Sequence, residues 1–159
     1  MWDLGLLVPA FAATATTFVA GLAIAIAFGS ALGIAVGAFR PAGRALGPRV
    51  EFMRAVPPPV TVPVASLLLG YGTGMKFAVV VLSALWPVLL NAALAAARVE
   101  PLLIDVGATL RLSRARFVTE VVVSSAVPAI LVGTPVAISL AIVVTLLVEM
   151  LTACRASAR

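Results

Sequence analysis

Residues that carry chemistry in most proteins are scarce in this chain. Its 159 residues include no histidine, one cysteine (Cys154) and a single lysine (Lys76). Without histidine the usual general base for a serine or cysteine nucleophile is missing, and neither H-E-x-x-H nor G-x-S-x-G occurs. A His/Cys metal site and a disulfide framework are excluded on the same residue types. The acidic residues are scattered, so no catalytic residue, metal ligand or cofactor-binding residue is expected, and the chain is not read as an enzyme.

One motif invites sharper readings. Gly70-Tyr71-Gly72-Thr73-Gly74 is similar to the carbonyl-lined filter of potassium channels, but Leu68-Leu69 stand where that filter has threonine and valine. A phosphate loop needs G-x-x-x-x-G-K-[ST], which is absent. A tight glycine turn between two helices accounts for the run. A small self-assembling channel would require that turn to act as a filter.

The composition says where any such residues must sit. Apolar residues make up 63% of the chain and charged residues 11%, with a mean hydropathy of +1.21. Soluble domains hold about 25% charge, and disorder needs low hydrophobicity, so the chain belongs in lipid. The formal charge of +5 then reflects membrane topology, not a nucleic-acid partner. Charge-free stretches run from Asp3 to Arg40, Arg54 to Lys76, Lys76 to Arg98 and Glu120 to Glu149. A span takes roughly 20 apolar residues, which predicts an all-α, polytopic transmembrane bundle of four helices at 14–38, 57–71, 76–96 and 122–148. Residues 4–12 are read as an interfacial entry segment. Pro57, Pro58, Pro59 and Pro63 place the start of the second, short span inside a proline cluster. The N-terminus lacks the basic region of a cleavable signal.

Basic residues orient the bundle. Arg40, Arg44, Arg49 and Arg54 occupy one connecting segment, and Arg98, Arg111, Arg114 and Arg116 another; only Lys76, Arg155 and Arg159 lie elsewhere. The two segments are separated by two spans, so both are cytoplasmic, with Lys76 and the termini outside. In the first span Gly29, Gly33 and Gly37, preceded by Gly21 and Ala25, form a small-residue stripe. Such a stripe suits close helix packing, although Ala- and Gly-rich helices from GC-rich genes also generate it freely.

The cytoplasmic loop 98–120 is longer than a connection needs, and loops of that length carry function. Pro101 suits a first helical turn, and Leu103, Val106 and Leu110 recur on one helical face, with Asp105, Thr109, Arg111, Arg114 and Arg116 opposite. Ser113 is positioned to cap a second short helix reaching Phe117. Such an element either lies on the membrane surface or enters a groove on a partner. Elsewhere, Thr61, Ser66, Ser83, Asn91, Ser124, Ser125, Ser139 and Thr145 either line a polar pathway or bond within the bundle, Asn91 being the costliest to leave unpaired. Glu149 is read as exposed at the outer interface.

The stretch Asp105-Val106-Gly107-Ala108-Thr109-Leu110-Arg111-Leu112-Ser113, followed by Pro128, resembles the EAA loop of type I ABC transporter permeases. Arg54 to Pro59, Pro63, Gly70-Tyr71-Gly72, Lys76 and Trp86 to Asn91 are similar to the nitrate/sulfonate/taurine branch. The likeness runs from about residue 10 to 151. Asp105 stands for the motif glutamate, Val106 and Gly107 for the two alanines, Arg111 for the glycine, and Ser124 for the first proline.

The resemblance implies a permease subunit pairing with a second copy of itself around a central pathway. It also implies an ABC ATPase docked on 100–118 through Asp105, Val106, Gly107, Leu110, Arg111, Ser113, Arg114 and Phe117. An external solute-binding protein would deliver a small anion near 70–76, and ATP would bind only in the partner. Thr61, Ser83, Asn91 and Ser139 are the candidates to line the pathway. Members carry six spans, which makes these four the middle ones. The tail 152–159 then reads as an out-of-frame ending or a decayed gene, and a non-transporting remnant or membrane-embedded interaction protein is the competing expectation.

Overall fold

The computed structural model describes residues 4–39 and 57–157. The basic residues Arg40, Arg44, Arg49, Arg54 and Arg159 lie outside the described residues. Helix α1 spans Leu4–Ala38, α2 Pro58–Leu69, α3 Thr73–Ala97 and α4 Pro101–Thr109. A single turn, α5 at Arg114–Arg116, runs through a π-helical turn at Phe117–Val122 into α6, Val123–Ser157. The chain is thus an all-α bundle, and among the described residues three helical stretches are long and apolar enough to cross a membrane: Phe11–Ala38, Thr73–Ala97 and Arg114–Thr152.

Two boundaries differ from expectation for local reasons. Residues from Leu4 onward continue α1 and do not form a separate entry segment; Pro9 in its second turn has no N–H to donate four residues back, a loss the helix absorbs without ending. The expected span 57–71 is the 12-residue α2, which rises only about 18 Å against a hydrocarbon core of roughly 30 Å. Gly70 stops it with a φ of 69° and a ψ of 173°, a backbone region open essentially to glycine alone. Gly72 is extended and α3 begins at Thr73. The Gly-Tyr-Gly run is therefore a turn.

Helix α3 is the centre of the bundle, burying Met75, Val79, Val80, Ser83, Ala84, Val88, Leu89, Ala92 and Ala96. Helices α1 and α6 pack on it from two sides and touch each other far less. The small-residue stripe of α1 is the seam with α3: Ala25 is fully buried beside Val80, Ala84 and Val88. A Cβ placed on Gly33 or Gly37 would meet the carbonyl oxygen of Leu89 or Ala93. With no hydrophobic drive between helices in lipid, backbone approach of this kind supplies the packing energy. On the other side Ala137 and Ala141 of α6 complete the same core, while Val62 of α2 joins Met75, Val79, Val144 and Val148 in a second one.

Candidate functional site

The loop between α3 and α6 is fully structured. Pro101 opens α4 at its first turn, where a missing N–H costs nothing. The helix ends in a Schellman arrangement: the Arg111 N–H donates to the Ala108 carbonyl at 3.0 Å and the Leu112 N–H to the Gly107 carbonyl at 3.1 Å. That closure puts Arg111 in the left-handed region, with a φ of 50°. Glycine takes this conformation without penalty, whereas an arginine there costs roughly 1–2 kcal/mol. The capping expected of Ser113 is present, its Oγ accepting from the Arg116 N–H at 3.4 Å. The Val123 N–H donates to the Val118 carbonyl, five residues back, which is the π-turn joining the loop to α6.

The periodicity grouped Leu103, Val106 and Leu110 on one face of α4 and left open what that face meets. Gly107 is the buried residue of this helix, because a Cβ there would lie 2.7 Å from the Phe117 ring. Fitting that ring turns Val106 (46% exposed) and Leu110 (64% exposed) outward with Leu102, not toward the bundle. Asp105 is also exposed, as is Thr109, whose hydroxyl donates to the Asp105 carbonyl at 2.8 Å. The outward surface therefore combines an apolar row with a carboxylate. Arg111 and Arg114 are exposed beyond it, and Arg116 approaches Glu120 at 3.9 Å. An open groove of about 690 Å³ separates this loop from the end of α1, lined by Ala38, Phe39, Ile104, Leu112, Arg114 and Phe117 among others.

The pathway candidates are not gathered in one place. Ser83 is buried and donates to the Val79 carbonyl at 2.7 Å; Ser139 donates to Pro135 at 2.9 Å. The Asn91 amide donates to the Pro87 carbonyl at 2.8 Å and lies against Gly133 of α6, in a helix seam. Ser66, Ser125 and Thr145 likewise bond carbonyls of their own helices. Thr61 lines an otherwise apolar groove of about 350 Å³ with Val60, Val64 and Leu68.

One polar cluster escaped the sequence reading. Glu149 is not merely exposed at the interface: its Oε1 accepts from Lys76 Nζ at 2.5 Å and from the Thr14 hydroxyl at 2.8 Å. Side-chain exposures are 22% for Lys76 and 37% for Glu149. The signal available was that two lone, opposite charges end spans on the same side of the membrane, where an unpaired charge is costly.

Comparison with known proteins bears directly on this architecture. Residues 25–155 match the family model described as binding-protein-dependent transport system inner membrane component. The bicarbonate transport system permease protein of Synechococcus elongatus is 30% identical over 128 residues, which is 80% of this chain and 46% of that protein. The nitrate import permease protein of Synechocystis sp. is 30% identical over 149 residues, 94% of this chain and 54% of that protein. The taurine transport system permease protein of Escherichia coli is 31% identical over 122 residues, 77% of this chain and 44% of that protein. The chain spans about half the length of the curated relatives it matches.

Proposed function

The chain belongs to the family of binding-protein-dependent transport system inner membrane components, and on that premise we propose that it works as a permease subunit of an ABC importer. It is a multi-pass membrane protein of the nitrate, bicarbonate and taurine branch. The observation that carries the proposal is the loop 98–120, two short helices joined by a closed turn and presenting Leu102, Val106, Leu110 and Asp105 to the outside. An apolar row beside a carboxylate suits a groove on a cytoplasmic ATPase.

ATP binds and is hydrolysed in that partner, and the coupling this chain provides is mechanical. Closure of the ATPase displaces the loop. The π-turn at Phe117–Val122 passes that displacement to α6, and the bundle rocks between outward- and inward-open states together with a second copy of the chain. A solute-binding protein delivers the substrate at the outer turn, Gly70–Lys76. The substrate is a small anion, in keeping with relatives named for bicarbonate, nitrate and taurine.

Purification of the tagged chain from mild-detergent extracts of its native membranes tests this reading. An ABC ATPase, identified by mass spectrometry, is expected in comparable amount. Asp105→Arg and Leu110→Arg each remove a central contact, worth about 2 kcal/mol or more, or roughly 30-fold in affinity. Both variants are expected to lose the ATPase and uptake while accumulating normally in the membrane. Unchanged uptake in both would take the coupling role from this loop.

A further inference from the structure

We propose that Arg111 is a recognition residue of the loop, seating its guanidinium on a carboxylate-bearing patch of the docked ATPase. The inference rests on the coupling role proposed above and names the chemistry of the partner's surface. Three observations carry it. Arg111 occupies the left-handed position of the turn, φ 50°, which glycine alone takes freely. Among the described residues no carboxylate pairs with it, since the ion pairs there are Lys76–Glu149 and Arg116–Glu120. Strained backbone of this kind persists where the surroundings over-determine it and is concentrated at binding sites. Here the two hydrogen bonds to Gly107 and Ala108 hold the backbone, Leu112 turns in toward Gly107, and the Arg111 side chain is left exposed at the tip.

The charge pattern selects the partner. The α4 half of the loop is acidic on balance, with Glu100 and Asp105 against Arg98; the turn and the half after it are basic on balance, with Arg111, Arg114 and Arg116 against Glu120, which Arg116 approaches. A loop that rests on anionic lipid carries basic residues around its apolar stripe and keeps carboxylates away. A split pattern instead matches a protein surface with the opposite split, acidic where it meets the turn. Guanidinium also pairs with carboxylate through two parallel hydrogen bonds, a geometry that lysine does not reproduce.

The test compares Arg111→Gly, Arg111→Lys and Arg111→Glu in the whole chain. Each variant is titrated with the purified ABC ATPase that accompanies the unaltered chain, at low and high salt, with and without added phosphatidylglycerol. Glycine relieves the backbone, so the melting temperature of Arg111→Gly equals or exceeds that of the unaltered chain, and weaker binding cannot be put down to misfolding. Its affinity for the ATPase is nevertheless expected to fall roughly tenfold. Lysine falls between and glutamate lowest, and the affinity of the unaltered chain drops with salt. Equal affinities across the series would overturn the inference and leave the coupling role intact. A difference seen only when phosphatidylglycerol is present would assign Arg111 to a lipid headgroup and overturn it equally. Failure of the unaltered chain to bind any ABC ATPase would instead remove the coupling reading itself.

Discussion

Leucine in place of Gly33 or Gly37 is expected to abolish stable accumulation of the chain in the membrane. At both positions the α1 backbone lies so close to α3 that a first side-chain carbon would run into the carbonyl oxygen of Leu89 or Ala93, and would stand 2.7 Å from the Cβ of Ala92 or Ala96. Those obstacles are backbone and alanine, which have no rotamer to move. Even alanine at Gly33 forces the helices apart, at about 1–3 kcal/mol, and leucine exceeds that. The loss is compounded in lipid, where no hydrophobic drive pushes α1 back onto α3. Two controls separate this effect from glycine's own flexibility. Alanine and leucine at Gly74, where a first side-chain carbon meets nothing within 4 Å, both accumulate far better than the same residues at Gly33 or Gly37. Immunoblots of membrane fractions and thermal melts in detergent read the series; wild-type levels of a Gly33→Leu chain would refute the close approach.

Neutralising one partner of the Lys76–Glu149 pair carries the second large effect. Glu149 accepts from α3 through Lys76 and from α1 through Thr14, so it ties α6 to two helices, one of which packs on it much less extensively than α3 does. Lys76→Met or Glu149→Gln leaves the other member without its partner at the end of a span. Removing one member of a buried pair costs about 3–5 kcal/mol; the exposures of 22% and 37% reduce this to about 1–3 kcal/mol. The double variant Lys76→Met/Glu149→Gln loses much less than the sum, because no orphaned charge remains. Exchanging the charges, Lys76→Glu with Glu149→Lys, recovers part of the stability of the worse single variant. Melting temperatures of the four chains in one detergent decide it, and simple additivity of the single losses would show that the pair is not coupled.

Particular elements show how far the residues alone could be read. The charge-free stretches located α1, α3 and α6, because lipid rejects charge wherever it occurs along a helix and that constraint is written in one dimension. The same holds for the glycine turn before α3, for Ser113 as a cap and for the short helix after Pro101, all of which are contacts within a few residues. The likeness to EAA loops also marked Arg111 as standing in a glycine position, and its φ of 50° is the physical content of that difference. The shortness of α2 was half visible in its prolines, but its end was set by the backbone of Gly70.

What the residues left open was decided by contact between segments far apart in the chain. The spacing put Val106 and Leu110 on one face of α4 without saying which face meets the bundle. A ring ten residues beyond Gly107 claims the glycine's face, and the two side chains turn outward as a result. The stripe of Gly21, Ala25, Gly29, Gly33 and Gly37 fits either an idle helix or a seam, and only the path of α3 across it makes it a seam. Glu149, placed at the surface by its position, finds Lys76 73 residues back in the chain and Thr14 135 residues back. Sequence by itself determined where the three long apolar helices lie, which loops are basic and which family it resembles, since those depend on local composition. Tertiary structure alone decided which face of each helix is used, because that depends on the rotation of one helix against another, and no single stretch of chain encodes that angle.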